Sequence, residues 1–207
     1  MTDSAHARRR LLVLASQSPR RASILETLGI PFETHPAAID ERVLGSEVPE
    51  AHVERLARAK AAAVASLRPD RPVLAGDTVV TRAGEILGKP RDDDHAVDML
   101  LSLQGREHEV LSSLALARGS TIGSGVQRTR VRFRSFDEST ARAYVATGEP
   151  ADKAGSYGIQ GLGAVLVEEI HGDYSAIVGL PVPLLLRLLA EAGMAYRFPT
   201  PPGGFRR

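Results

Sequence analysis

The chain contains no cysteine and no tryptophan, and only 4% of its 207 residues are aromatic. Without cysteine, disulfides and thiolate metal sites are excluded, and the absence fits a reducing, cytoplasmic setting. Histidines are few and scattered (6, 35, 52, 95, 108 and 171), with no pair at helical ligand spacing, which argues against a zinc site. No segment reaches the roughly 20 apolar residues that a membrane span needs, so no membrane partner is expected. Neither sign of charge dominates: 26 Lys and Arg against 25 Asp and Glu leave a net +1. That balance gives no support for a nucleic-acid coat, so any attraction for phosphate must be local. A Walker A sequence is also missing, and no GxGxxG stands between a strand and a helix, which removes P-loop kinases and dinucleotide binders.

What remains is ordinary for a globular protein: 43% hydrophobic and 25% charged residues. The length suits one domain with two lobes. Residues 1–9 read as a disordered basic extension, because the apolar stretch after Arg8-Arg9-Arg10 is too short for a signal peptide. Residues 197–207 read as a Pro/Gly-rich disordered tail. Between them, strand and helix patterns alternate. Strands are expected near Leu11–Ala15, Ile30–His35, Pro72–Val80, Glu85–Leu87, His108–Ala117 and Arg130–Arg134. Helices are expected at Pro19–Leu28, Pro49–Leu67, after Asp92, after a capping box at Ser135–Glu138, and at Pro181–Ala192. Gly119–Gly125 reads as a turn, and Ala164–Ile170 with Tyr174–Val178 as a final hairpin. The fold class is therefore α/β with a mixed, elongated sheet flanked by helices, and the hairpins exclude a purely parallel sheet.

Several polar residues do not fit a plain core. Ser18 and Pro19 open a helix well, yet Arg20 and Arg21 then occupy its first turn, where the macrodipole favours carboxylates. An anion bound by free N–H groups, the serine hydroxyls of Ser16 and Ser18 and the two guanidinium groups would remove that conflict. Asp77 interrupts the apolar run Val73–Val80. It reads either as a metal ligand or general base at a strand end, or as a capping carboxylate in a β-bulge permitted by Gly76. Lys89, in a rigid Gly-Lys-Pro loop, is a phosphate contact or a solvated turn lysine. Lys60 on its charged helix and Glu41 in its loop read more simply as surface residues. Asp152–Gly163 intersperses glycines with Tyr157, Ile159 and Gln160, which suits a binding loop whose backbone approaches a flat ligand. Arg128, Arg130 and Arg132 read as a solvated sheet face.

Taken in order, Leu14–Arg21, Gly76–Val80, Gly88–Pro90, Thr147–Pro150, Asp152–Gly161, Gly172–Tyr174 and Val178–Pro181 resemble the Maf family of nucleotide pyrophosphatases, over residues 10–196. The resemblance implies a cleft between two lobes and a divalent cation, Mg²⁺ or Mn²⁺. The implied reaction is hydrolysis of a nucleoside triphosphate between its α and β phosphates. It assigns Asp77 as proton acceptor and places Ser16, Arg20, Arg21, Glu41, Lys60, Lys89 and Gln160 around the substrate. Asp77 and Glu41 could hold the metal through oxygen ligands, and a homodimer is suggested by the same likeness. Gly76 and Gly88 depart from the family's habit without touching the chemistry.

The family has one branch acting on dTTP and UTP and another acting on 7-methyl-GTP. The second typically carries Trp, Asp-Gln and Glu where this chain has Arg20, Thr78 and Gln160. A methylated guanine is cationic and favours an aromatic face and a carboxylate. Thymine and uracil are neutral, with a carbonyl beside an N–H, and Gln160 can donate to one and accept from the other, with Thr78 adding a hydroxyl. The expected substrates are dTTP and UTP, with modified pyrimidine triphosphates beside them. The alternatives are 7-methyl-GTP, or a nucleotide-binding regulator of cell division with little turnover.

Overall fold

A computed structural model describes residues 11–199. The expected basic extension and the tail beyond residue 199 lie outside the described residues. The chain runs β1 (Leu12–Leu14), α1 (Pro19–Thr27), β2 (Phe32–Thr34), α2 (Pro49–Leu67), β3 (Val73–Arg82), β4 (Glu85–Leu87), α3 (Asp93–Leu103), β5 (Glu107–Arg118), β6 (Thr121–Phe133) and α4 (Glu138–Val145). Three short 3-10 turns, β7 (Val167–His171), α5 (Tyr174–Val178) and α6 (Val182–Glu191) complete it. Seven strands form one mixed sheet in the order β2-β1-β3-β5-β6-β7, with β4 also on β3. Only the β1–β2 and β1–β3 pairs are parallel. No helix among the described residues is long and apolar enough to cross a membrane.

Strand alternation divides the core. Val73 and Ala75 of β3, with Ala115 and Ala117 of β5, face Ala57, Ala61 and Val64 of α2. These small residues let the helix lie close to the sheet. On the other face, Leu74, Leu114 and Leu116 meet Leu25 of α1 and the Leu184, Leu185, Leu188 and Leu189 stripe of α6. Further along that face, Val80, Val110, Val131 and Phe133 pack with Leu100 of α3, Tyr144 of α4 and Tyr157. Val131 and Phe133 point inward as their alternation required. Arg128, Arg130 and Arg132 lie on the solvated side, paired with Glu50 and Glu109, Glu107 and Glu168 respectively.

Three local expectations are corrected. The turn between β5 and β6 is only Gly119-Ser120, since Arg118 already pairs with Thr121. Gly123 and Gly125 belong to β6; a Cβ on Gly125 would collide with Leu184 and Arg187 of α6, so that glycine admits a helix and makes no turn. Tyr174–Val178 is helical, because Asp173 Oδ1 accepts from the Ser175 N–H at 2.8 Å and caps it; β7 pairs instead with β6. A short apolar run carries too little periodicity to separate the two states. The cap of α4 is Asp137, whose Oδ1 accepts from the Thr140 N–H at 2.9 Å, and not Ser135.

Candidate active site

The parallel strand β1 pairs with β3 only as far as Leu74, and β4 takes up the same edge at Val80. The edge of β3 between these points is unpaired among the described strands. A cleft of about 1040 Å³ opens there, past the carboxyl end of β1 and beside the first turn of α1. Ligands in open α/β sheets commonly bind beyond the carboxyl ends of parallel strands. Because the edge is open, side chains from both faces of β3 reach the same space. Asp77 points toward α2, Thr78 toward α1 and α5, and both line the cleft.

Asp77 is not at a strand end. It lies in the middle of ten-residue β3, opposite Ser113, in a register that runs unbroken from Val73 to Thr81. No bulge occurs at Gly76, so the capping explanation of Asp77 fails. The strand continues past Val80 because the hairpin to β4, which the turn residues Ala83-Gly84 announce, extends it to Arg82. On the α2 side, Lys60 Nζ donates to Asp77 Oδ1 at 2.8 Å and to Glu41 Oε1 at 2.8 Å. The side chains of Lys60 and Asp77 are 10% and 13% exposed, so this is a largely buried ion pair. Lys60 and Glu41, which read as surface residues, are thus joined to Asp77. Lys60 falls on the inner face of α2, which its charged neighbours disguised.

On the opposite side Arg21 is held from three directions. Its Nε donates to Gly179 O at 2.8 Å, one terminal nitrogen to Ser16 Oγ at 3.0 Å, and the other to Thr78 Oγ1 at 3.1 Å. Burial lowers the pKa of this guanidinium, and the nearby Asp77 charge acts against the shift. Ser16 Oγ also accepts from the Ser18 N–H at 3.1 Å, while Ser18 Oγ caps α1. Thr78 has a defined polarity. Ser112 Oγ donates to Ala176 O at 2.6 Å, so its contact with Thr78 Oγ1 at 2.8 Å uses the Thr78 proton. Thr78 therefore gives its proton to Ser112 and a lone pair to Arg21. Its proton is thus committed to Ser112, and the hydroxyl contact expected of Thr78 would have to use the second lone pair of Oγ1, accepting from a base N–H.

Arg20 is partly exposed and approaches Asp152 Oδ2 at 3.5 Å. Lys89 and Gln160 are exposed on the far rim. Gly88 O accepts from the Gly155 N–H at 3.0 Å, tying the Lys89 loop to the glycine-rich segment. All nine sequence-selected residues, Ser16, Arg20, Arg21, Glu41, Lys60, Asp77, Thr78, Lys89 and Gln160, line this one cleft.

The glycine-rich segment differs from expectation in what its glycines accommodate. A Cβ on Gly158 would meet the Lys153 stem, one on Gly161 the Glu149 carboxylate, and one on Gly163 the Tyr144 hydroxyl. The space beside these three glycines is filled by protein side chains, and Gly158 and Gly161 also line the cleft. Sequence reasoning did not single out Lys153 and Glu149 as cleft residues. Lys153 lines the cleft, with Nζ donating to Asp152 Oδ1 at 2.7 Å and to Glu149 O at 2.6 Å. Beneath the cleft His108 Nε2 meets Tyr157 OH at 2.9 Å, and His108 Nδ1 is buried without a partner among the described residues. Burial pushes the His108 pKa down to about 4 and that of Tyr157 up. The position of Glu149 within Thr147–Pro150 was visible, but its loop contacts are long-range.

The donor set around Asp77 is oxygen only. Among the described residues no three His, Cys, Asp or Glu side chains converge as a metal cage. Two carboxylates sharing Lys60 nevertheless fit a hard divalent cation of the Mg²⁺ type, which commonly takes one or two carboxylates and completes its shell with water and substrate phosphate.

Fold and site together describe an α/β protein whose cleft sets several cationic side chains around one largely buried carboxylate, Asp77, an arrangement suited to an anionic ligand. The profile of the family described as Maf-like protein matches residues 11–192, and the chain belongs to that family. Among its relatives, the dTTP/UTP pyrophosphatase of Methylobacillus flagellatus is 46% identical over 186 residues, covering 89% of this chain and 94% of the relative. The dTTP/UTP pyrophosphatase of Desulfotalea psychrophila is 50% identical over 180 residues, covering 86% and 92%. That of Anaeromyxobacter dehalogenans is 48% identical over 194 residues, covering 92% and 96%.

Proposed function

We propose that this protein is a nucleoside triphosphate pyrophosphatase that hydrolyses dTTP and UTP to the monophosphate and pyrophosphate. The observation that carries the reading is the meeting of Asp77 with Arg20, Arg21, Lys60 and Lys89 around one gap in the sheet. Relatives at close to half identity, named for that reaction, support the choice of substrate.

A triphosphate repels an attacking water, and cationic groups aimed at its oxygens lower that barrier. Arg21 is fixed before substrate arrives, since its three hydrogen bonds leave further N–H groups for phosphate. Arg20 and Lys89 stand at the rim of the same cleft, where their charges can meet the polyphosphate. Lys60 holds Asp77 Oδ1, which fixes the carboxylate rotamer and leaves Oδ2 without a hydrogen bond among the described residues. Asp77 then receives the proton of the attacking water or, with Glu41, holds a divalent cation. Bound Mg²⁺ or Mn²⁺ would acidify water and neutralise phosphate charge. Gln160 on the opposite rim pairs with the carbonyl and N–H of the pyrimidine.

The test is a panel of nucleoside triphosphates with Mg²⁺ or Mn²⁺, scored for pyrophosphate. Pyrophosphate from dTTP and UTP, with 7-methyl-GTP poorly used, is expected. Orthophosphate as the first product, preference for 7-methyl-GTP, or tight dTTP binding without turnover would each reject the assignment.

A further inference from the structure

The loop that carries Gln160 is closed at its neck by two side chains from outside it. Tyr144, on the last turn of α4, and Glu149, in the 3-10 turn that follows, form a pair with Tyr144 OH donating to Glu149 Oε1 at 2.8 Å. The loop is fastened to this pair at both ends. At its start the Gly158 N–H donates to Tyr144 OH at 3.1 Å. At its end the Leu162 N–H donates to Glu149 Oε2 at 2.8 Å and the Gly163 N–H to Glu149 Oε1 at 3.0 Å. Gly163 comes so near the start of the loop that an added Cβ would lie 2.6 Å from Gly158 O. Gln160 therefore stands at the tip of a small closed loop, while its own side chain is exposed and makes no side-chain hydrogen bond among the described residues of the kind that fixes Arg21.

We infer that Tyr144 and Glu149 act as a clasp that sets base recognition, as positioning residues that present Gln160 to the pyrimidine without touching it. This rests on the reading of Gln160 as the residue that meets the base. Its physical basis is preorganisation. An amide on a free loop must lose conformational entropy when it pairs with a base, whereas one on a pinned loop has lost much of it already. The carboxylate suits the task because it only accepts, and it faces two backbone N–H groups and one hydroxyl. Burial works against its charge, but the bonds from Gly163, Tyr144 and Leu162 prevail and hold its pKa below the ordinary value. The three glycines around it are explained by the same device, since each leaves room for Lys153, Glu149 or Tyr144.

The experiment compares full-length wild type with Tyr144→Phe, Glu149→Gln, Gln160→Ala and the Tyr144→Phe/Gln160→Ala double variant. Steady-state kinetics are taken with dTTP, UTP and dCTP, and inhibition by inorganic tripolyphosphate reports the phosphate subsites without a base. Tyr144→Phe is expected to raise KM for dTTP about tenfold, with kcat within about twofold. The preference for dTTP over dCTP should narrow, and tripolyphosphate inhibition should not move. Glu149→Gln should act in the same direction, because its amide turns a donor toward one of the loop N–H groups. Should Glu149→Gln not fold, Tyr144→Phe decides alone, since it removes one hydroxyl and keeps the ring. The double variant should be no worse than Gln160→Ala, because the clasp has nothing left to present. If Gln160→Ala loses base preference while Tyr144→Phe keeps it, the clasp is overturned and the role of Gln160 stands. If Gln160→Ala itself keeps the preference, the base-reading role falls and the clasp falls with it. Loss of tripolyphosphate inhibition in parallel with dTTP affinity would mark a general structural role and also overturn the proposal.

Discussion

Acidification tests the buried polar pair beneath the cleft. His108 is 2% exposed, enclosed by Phe133 and Tyr157, with one ring nitrogen unpartnered among the described residues. Its pKa is lowered from 6.5 to about 4 by burial. A histidine with a depressed pKa is neutral in the folded state over a range in which the unfolded chain binds a proton. It therefore supports the fold fully above its unfolded pKa and loses that support as pH falls toward its folded value. The difference of about 2.5 pKa units corresponds to about 3 kcal/mol, of which about 2 kcal/mol should be gone by about pH 5. Urea unfolding of the wild type and of His108→Gln, followed from neutral pH to about pH 4.5, isolates this contribution. The amide can still meet Tyr157 OH but does not titrate. Wild type should lose about 2 kcal/mol more than the variant across that interval. Equal pH slopes in the two proteins would refute the assignment of a buried neutral imidazole.

Asp77→Asn should keep the fold, because Lys60 retains Glu41, and should reduce turnover at least about 100-fold if the carboxylate handles the water proton; circular dichroism with a pyrophosphate assay separates the two effects, and near-normal turnover by a folded variant would remove Asp77 from the chemistry. Lys60→Met leaves Asp77 and Glu41 facing each other without their shared cation, so it should destabilise the protein by about 3 kcal/mol, read by denaturant midpoint; an unchanged midpoint would show that the pair contributes nothing. Gln160→Glu removes the donor that meets a pyrimidine carbonyl, so dTTP and UTP should both show raised KM; unchanged rates would show that the base is read elsewhere. Gly179→Ala places a side chain at a φ of 114°, in the left-handed region, beside the carbonyl that anchors Arg21; a loss of about 1–3 kcal/mol in thermal unfolding is expected, and a neutral result would indicate that the loop relaxes without cost.

Strong local chemistry made much of the molecule legible. Ser18 and Pro19 opened α1, Asp92 opened α3, and the alternation around Val131 and Phe133 assigned their faces, because each depends on neighbours within a few residues. The anion-seeking character of Arg20 and Arg21 was visible in the same way, as was the mismatch of Asp77 with its apolar strand. Gly125 was misread because its reason lies in α6, and Tyr174–Val178 because five residues do not establish a period. The direction of the Thr78 hydrogen bond was not legible, because it is set by Ser112 and Ala176, far along the chain.

The types of group needed for polyphosphate chemistry are thus written into the linear chain. Where they meet is decided by strand pairing: on β3, pairing with β1 ends at Leu74 and pairing with β4 begins at Val80, and the uncovered edge between them lets neighbouring residues from opposite faces share one cleft. No local pattern encodes that gap, because it is a property of where three separate strands end.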